Sequence, residues 1–176
     1  MRFIPALLAC ALLSLGACSA ETIVTVASPA KVDLEQLVST GKAVPVGGIT
    51  PAGQPDAAAF QVFADSGYAA VIDLRTAGEN RGLDEQVLVE ELGMTYLSMP
   101  ITQSGITFEN AALLDAAITG ADGPVLVHCA SSNRVGALLA LRASLAGADD
   151  EDAVRIGRKA GMTGLEPVVR GLLTSK

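Results

Sequence analysis

Val125-Leu126-Val127-His128-Cys129-Ala130-Ser131-Ser132-Asn133-Arg134-Val135-Gly136 is the stretch from which the rest of the chain is read. Pro124–His128 is the most strand-like run of the sequence, apolar and rich in valine, and small residues follow it directly. A helix then opens at Arg134 and Val135 and runs to Leu145, with Gly147 to close it. His128 is the one histidine of the chain, and Cys129 stands beside it at the carboxyl end of the strand. A loop that joins strand to helix this tightly can turn successive backbone N–H groups toward one point and so make an anion nest. The helix N-terminus adds partial positive charge, and Arg134 adds a planar fork suited to phosphate or sulfate. The same field favours thiolate over thiol at Cys129. Nucleophile, oxyanion cradle and cation thus fall within one short segment.

Outward from this segment, short apolar runs alternate with helical periodicity. Val44–Ile49 reads as a strand, with a Pro/Gly turn over Thr50–Pro55. Asp56–Ser66 reads as a helix, Ala69–Leu74 as a strand, Asp84–Leu92 as a helix closed by Gly93, and Thr95–Met99 as a short strand. Thr107 can cap a helix to Ile118. Two more helices are expected over Asp149–Ala160 and Gly164–Leu173. Alternation of this kind implies an α/β fold: one domain with a central, mostly parallel sheet of about four or five strands, flanked by helices on both faces. Ligands of such sheets bind outside the carboxyl ends of the strands, where Cys129 falls.

Composition narrows the function. The chain has 176 residues, 50% of them hydrophobic and 18% charged, which suits one folded domain and excludes intrinsic disorder. Twelve basic residues stand against 19 acidic ones, for a net charge of −7, with no basic cluster. A nucleic-acid partner, which needs a basic face, is therefore not expected. Aromatics make up 3% and tryptophan is absent, which argues against stacking platforms for single strands or sugars.

Met1–Ala20 reads as a secretory signal peptide: Arg2, then an uncharged run from Phe3 to Leu15, then small residues. Leu15-Gly16-Ala17-Cys18 resembles the bacterial lipobox, which implies cleavage before Cys18, lipidation of that residue and, with Ser19 after it, the outer membrane facing the periplasm. Ordinary cleavage after Ala20 is the alternative. Contact with a membrane is expected only through this lipid, since the loss of Arg2 leaves a charge of −8. Residues 21–42 read as a polar leader with a short amphipathic stretch at Val32–Val38, and 43–176 as the domain proper. Cys10 leaves with the signal, so Cys129 is the lone thiol of the mature domain, either a reactive residue or a small buried hydrophobe.

The His128-Cys129 pair followed at short distance by Arg134 resembles the signature of the cysteine-dependent protein tyrosine and dual-specificity phosphatases. The loop is one residue shorter than usual, and Val135 stands where a hydroxyl residue is expected. That shortening is similar to a bacterial subfamily, the phosphatase-like domain of beta-lactamase-hydrolase-like proteins. Gly48–Pro55, with its Gly53-Gln54-Pro55 turn, and Gly67–Arg75, ending in Asp73-Leu74-Arg75 with Glu79 after it, resemble further stretches of that subfamily, over about residues 43–160. The resemblance implies that Cys129 attacks phosphorus to form a phosphocysteine that water then hydrolyses. It implies that Arg134 and the amides of Ala130, Ser131, Ser132, Asn133 and Arg134 hold the phosphoryl oxygens. His128 would order the loop rather than act as a base. Asp73 and Arg75 either pair beside the loop and shape it, or form a structural ion pair at a strand end.

The family's general acid has no evident counterpart. Pro100–Ile106, where the resemblance places it, contains no carboxylate, and the nearest candidates are Glu109 and Glu79, each of which also reads as a solvated helix or loop residue. The substrate expected is a phosphorylated small molecule or phosphoprotein. No metal or other cofactor is expected, because one histidine and one mature cysteine give none of the usual zinc spacings. Two other functions fit the same loop: a rhodanese-like sulfurtransferase, and a non-catalytic module that binds phosphate or sulfate or senses oxidants through Cys129.

Overall fold

The computed structural model describes residues 27–176; the expected signal peptide, with Cys10 and Cys18, lies outside the described residues. Among the described residues, four strands form one sheet in the order β1-β4-β2-β3: β1 (Ile49–Ala52), β2 (Ala70–Asp73), β3 (Thr95–Ser98) and β4 (Val125–His128). Every pairing is parallel, as the alternation implied. The strand that leads into Cys129, β4, is interior. Ala52 and Asp73 stand in register with His128 on either side, so the loops after β1, β2 and β4 leave the sheet together.

Among the described residues, seven α-helices connect and cover the strands: α1 (Leu34–Thr40), α2 (Ala57–Asp65), α3 (Glu85–Glu91), α4 (Phe108–Thr119), α5 (Asn133–Leu145), α6 (Asp150–Lys159) and α7 (Glu166–Thr174). Alternate residues of each interior strand face opposite cores. Val125, Val127 and Ile72 join Leu114, Leu138, Val154 and Val169 on the α4–α7 side. Leu126 and Val71 join Leu37, Phe60, Phe63 and Val89 on the other. Side chains at the helix starts fix the boundaries: Asp33, Asp56, Asp84, Thr107 and Asp149 each accept from a backbone N–H three residues on.

Three boundaries differ from those read in the sequence. The first strand is not Val44–Ile49 but begins at Ile49 and runs through the residues read as a turn, because Val46 folds back to bridge Ile49 and Thr50–Ala52 pair with β4. Helix α5 begins at Asn133, which puts Arg134 in its first turn. Part of the segment read as a leader is packed onto the domain: Leu37 of α1 is buried with Phe60 and Phe63, and the Lys31 and Val32 N–H groups donate to the carbonyls of Lys159 and Pro51. Among the described residues no helix is long and apolar enough to cross a membrane.

Candidate active site

The segment after β4 folds as a cradle. Cys129 is buried at its base and Ala130 and Ser131 are exposed at its rim. Ser132 has φ 72°, in the left-handed region, and this single reversal carries the chain from the loop into α5. A non-glycine residue there costs free energy, and the surroundings hold it in place. Its Oγ donates to the Ala160 carbonyl at 2.7 Å, and Gly161 packs so close that a Cβ there would lie 2.6 Å from Ser132 Cβ. Asn133 adds a second tie, its Oδ1 accepting from the N–H groups of Thr163 and Leu165. These side chains therefore brace the loop from behind, a duty that the sequence did not reveal. The backbone N–H groups of residues 130–135 find no protein acceptor among the described residues. Successive N–H groups around a left-handed turn, at the start of a 13-residue helix, form a site for an anion.

Arg134 closes the cradle. Its Nη1 donates to Glu79 Oε1 at 2.7 Å and to the carbonyls of Leu74 and Ile101, and its Nη2 donates to Glu79 Oε2 at 2.5 Å. The contact with Glu79 is end-on. Nε and the outer hydrogen of Nη2, the edge that fits two oxygens of a phosphoryl group, have no acceptor among the described residues. Hydrogen bonds from Arg134 above all pull the Glu79 carboxyl down to about 2, against the opposing effect of burial. Arg134 is pushed further above its ordinary range, chiefly by Glu79, with Cys129 close enough to add to the shift. Glu79, on the sequence an acid candidate or a solvated loop residue, is instead the partner of Arg134, since both of its carboxylate oxygens accept from the guanidinium. Glu109 is exposed in the first turn of α4.

Beneath the cradle lies a buried charge cluster that linear spacing did not disclose. Asp73, Arg75, Glu85 and His128 all have buried side chains. Arg75 donates to both oxygens of Asp73 at 2.9 Å and also to Glu85, while Arg81 and Tyr96 donate to Asp73 Oδ2. Burial would raise the Asp73 carboxyl, but hydrogen bonds from Arg75, the neighbouring His128 and Tyr96 bring it to about 2. Tyr96 is pushed up to about 12, by burial first and then by Asp73. His128 Nε2 lies 2.6 Å from Glu85 Oε1, which fixes the ring directly before Cys129, and Phe60 packs against it edge-on. Of the two roles open to Asp73 and Arg75, the geometry favours the ion pair, set just below the loop and joined to it through His128.

Asp73, Glu85 and His128 bring three ligand-type atoms within 4.8 Å of one another. Arg75 bonds both carboxylates, so a divalent cation would have to displace a buried guanidinium, and the donor set fits an ion-pair cluster better than a metal. Glu85 and Arg81 went unread in the sequence because a helix-start Glu and a loop Arg ordinarily face solvent.

Comparison with known proteins meets this geometry. Residues 47–146, more than half of the chain, match the family described as beta-lactamase hydrolase-like protein, phosphatase-like domain. The chain belongs to that family. A beta-lactamase hydrolase-like protein of Xylella fastidiosa is 36% identical over 106 residues, covering 58% of this chain and 25% of that protein. A namesake from Agrobacterium fabrum is 30% identical over 103 residues, 56% of this chain and 24% of its own length. The match therefore spans about a quarter of these relatives. Among solved structures, the chain is similar to a phosphatase candidate from Neisseria meningitidis, with a TM-score of 0.61, 24% identity, and coverage of 73% of this chain and 92% of that one. It is also similar to TpbA of P. aeruginosa in complex with pTyr, with a TM-score of 0.52, 19% identity, and coverage of 72% and 84%. These likenesses establish the shared α/β fold.

Proposed function

We propose that this chain hydrolyses phosphate monoesters through a phosphocysteine on Cys129. One observation carries the reading: the loop that follows directly on Cys129, the one thiol of the domain, leaves the N–H groups of residues 130–135 without an acceptor and Arg134 with an open edge. In the first step Cys129 sulfur attacks phosphorus and the ester oxygen departs with its bonding pair. In the second, water attacks the phosphocysteine and the sulfur leaves as thiolate. The loop amides and Arg134 hold the equatorial oxygens throughout, already placed and needing no reorganisation. The substrate is a phosphorylated small molecule or phosphoprotein. Hydrolysis of p-nitrophenyl phosphate by the wild type, its loss in Cys129→Ser, and retention of vanadate binding by that variant are the expected results. Full activity in Cys129→Ser would refute the reading.

The enzyme acts, on this proposal, at the bacterial envelope, exported by residues 1–17 and held at the outer membrane by lipidated Cys18. The uncharged run Phe3–Leu15 and the order Leu15-Gly16-Ala17-Cys18 support it. Incorporation of labelled palmitate is expected in the wild type and not in Cys18→Ser.

A further inference from the structure

Release of an alcohol from phosphorus needs a proton on the departing oxygen, and three of the carboxylates around the cradle are committed elsewhere. Glu79 is spent on Arg134, and Asp73 and Glu85 lie under the loop among Arg75, Arg81 and His128. The N-terminal segment offers another source. A cleft of about 720 Å³ has the loop residues Ala130 and Ser131, with Gly53, on one side and Lys31, Asp33 and Glu35 on the other. That second wall is fixed, since the Lys31 N–H donates to Lys159 at 2.7 Å, the Val32 N–H donates to Pro51 at 2.9 Å, and Leu37 is buried. Asp33 spends Oδ1 on the Gln36 N–H. Glu35 is exposed on the cleft wall and has no hydrogen-bond or ion-pair partner among the described residues. The cleft has room beyond a phosphoryl group, no aromatic side chain lines it, and Lys31 and Glu35 give it charges of both signs. Such walls suit a polar alcohol rather than a stacked aryl ring.

We propose that this cleft is the leaving-group subsite, that it takes phosphate monoesters of polar alcohols, and that Glu35 is the proton donor. The assignment rests on the Cys129 reading above. As the S–P bond forms and the P–O bond breaks, the Glu35 carboxyl gives its proton to the leaving oxygen and becomes carboxylate. As water attacks the phosphocysteine, Glu35 takes the water proton, and the S–P bonding pair returns to Cys129.

Two probes separate this role from a structural one. With p-nitrophenyl phosphate, whose leaving group departs unprotonated, Glu35→Gln is expected to lose less than about threefold in kcat/KM, which reports phosphocysteine formation, while kcat falls with the slower second step. With glycerol 2-phosphate the expected loss is roughly 10²-fold or more, the lower end of what a general acid contributes. Glu35→Asp, which keeps the carboxyl, is expected to recover part of the glycerol 2-phosphate activity. Equal losses on the two substrates, no loss on either, or a wild type that cleaves only the aryl ester would overturn the assignment. A wild type inactive on both and unable to bind vanadate would instead refute the phosphatase reading, and the assignment with it.

Discussion

Glu79 meets the Arg134 guanidinium end-on, its two oxygens at 2.7 and 2.5 Å from Nη1 and Nη2, and so decides which edge of the arginine faces the anion cradle. The backbone carbonyls of Leu74 and Ile101 complete the hold on Nη1, which joins the loops after β2 and β3 to the loop after β4. A flexible side chain becomes a preset fork in this way, and less rotamer entropy is lost when an oxyanion arrives.

Loss of that hold should weaken oxyanion binding more than it weakens the fold. Glu79→Gln keeps the shape but replaces a charge-assisted pair with a neutral amide, and roughly tenfold weaker vanadate binding is expected, about 1.4 kcal/mol. Arg134→Lys should lose more, because an ammonium cannot hold Glu79 and an oxyanion along two edges. Titration calorimetry with vanadate reads both, and wild-type affinity in Glu79→Gln would mean that Arg134 needs no partner.

The helix behind the cradle depends on a close backbone approach. A Cβ on Gly136 would lie 2.3 Å from Met162 N and 2.5 Å from the Gly157 carbonyl, both backbone atoms that cannot swing aside. Gly136→Ala is expected to cost about 3 kcal/mol or more, at or above the usual range for overpacking. Gly171, which has nothing within 4 Å of an added Cβ, provides the control: Gly171→Ala should leave stability unchanged or slightly raised. Urea denaturation midpoints distinguish them, and similar values for the two variants would contradict the packing.

Much of this was legible in the sequence because periodicity and caps are local signals. Val125–His128 and Ala70–Asp73 read as strands on composition alone, and Asp84 and Thr107 marked helix starts that the structure repeats within a residue or two. Ile49–Ala52 was missed because Pro51 and the nearby glycines imitate a turn, whereas an edge strand tolerates a proline. In the site, Cys129 and Arg134 share one short loop and could be found together. Glu79, Glu85 and Arg81 reach it from distant positions, and the sequence gives no sign of a partner across 43 or 55 residues. Ser132 in a left-handed turn was equally hidden, since glycine would have announced it.

Arg75 is the keystone of the buried cluster, facing Asp73 and Glu85 with no exposure to solvent. Its removal leaves two carboxylates with too little compensating charge, so Arg75→Met should destabilise by roughly 3–5 kcal/mol, as broken buried pairs do. Arg81 is about 30% exposed, and Arg81→Met should cost less, with water able to reach Asp73. Denaturant titration ranks the two, and the reverse order would show that Arg81 carries the cluster.

Asp73 also gives the fold a defined response to acid. Its carboxyl lies at about 2, below the ordinary aspartate value of 3.8. A group lowered on folding contributes stability that is complete above the unfolded value and disappears as pH falls through the folded one. The difference corresponds to roughly 2 kcal/mol, present above about pH 4 and lost toward pH 2. Asp73→Asn removes this term and leaves Arg75 and Arg81 without their shared carboxylate, so the variant should be markedly less stable than wild type at pH 6. Below pH 4 the gap between the two should close, because the wild-type side chain is then itself becoming neutral. Urea unfolding across pH 2–6 measures that gap directly, and a gap independent of pH would show that Asp73 does not contribute as an anion.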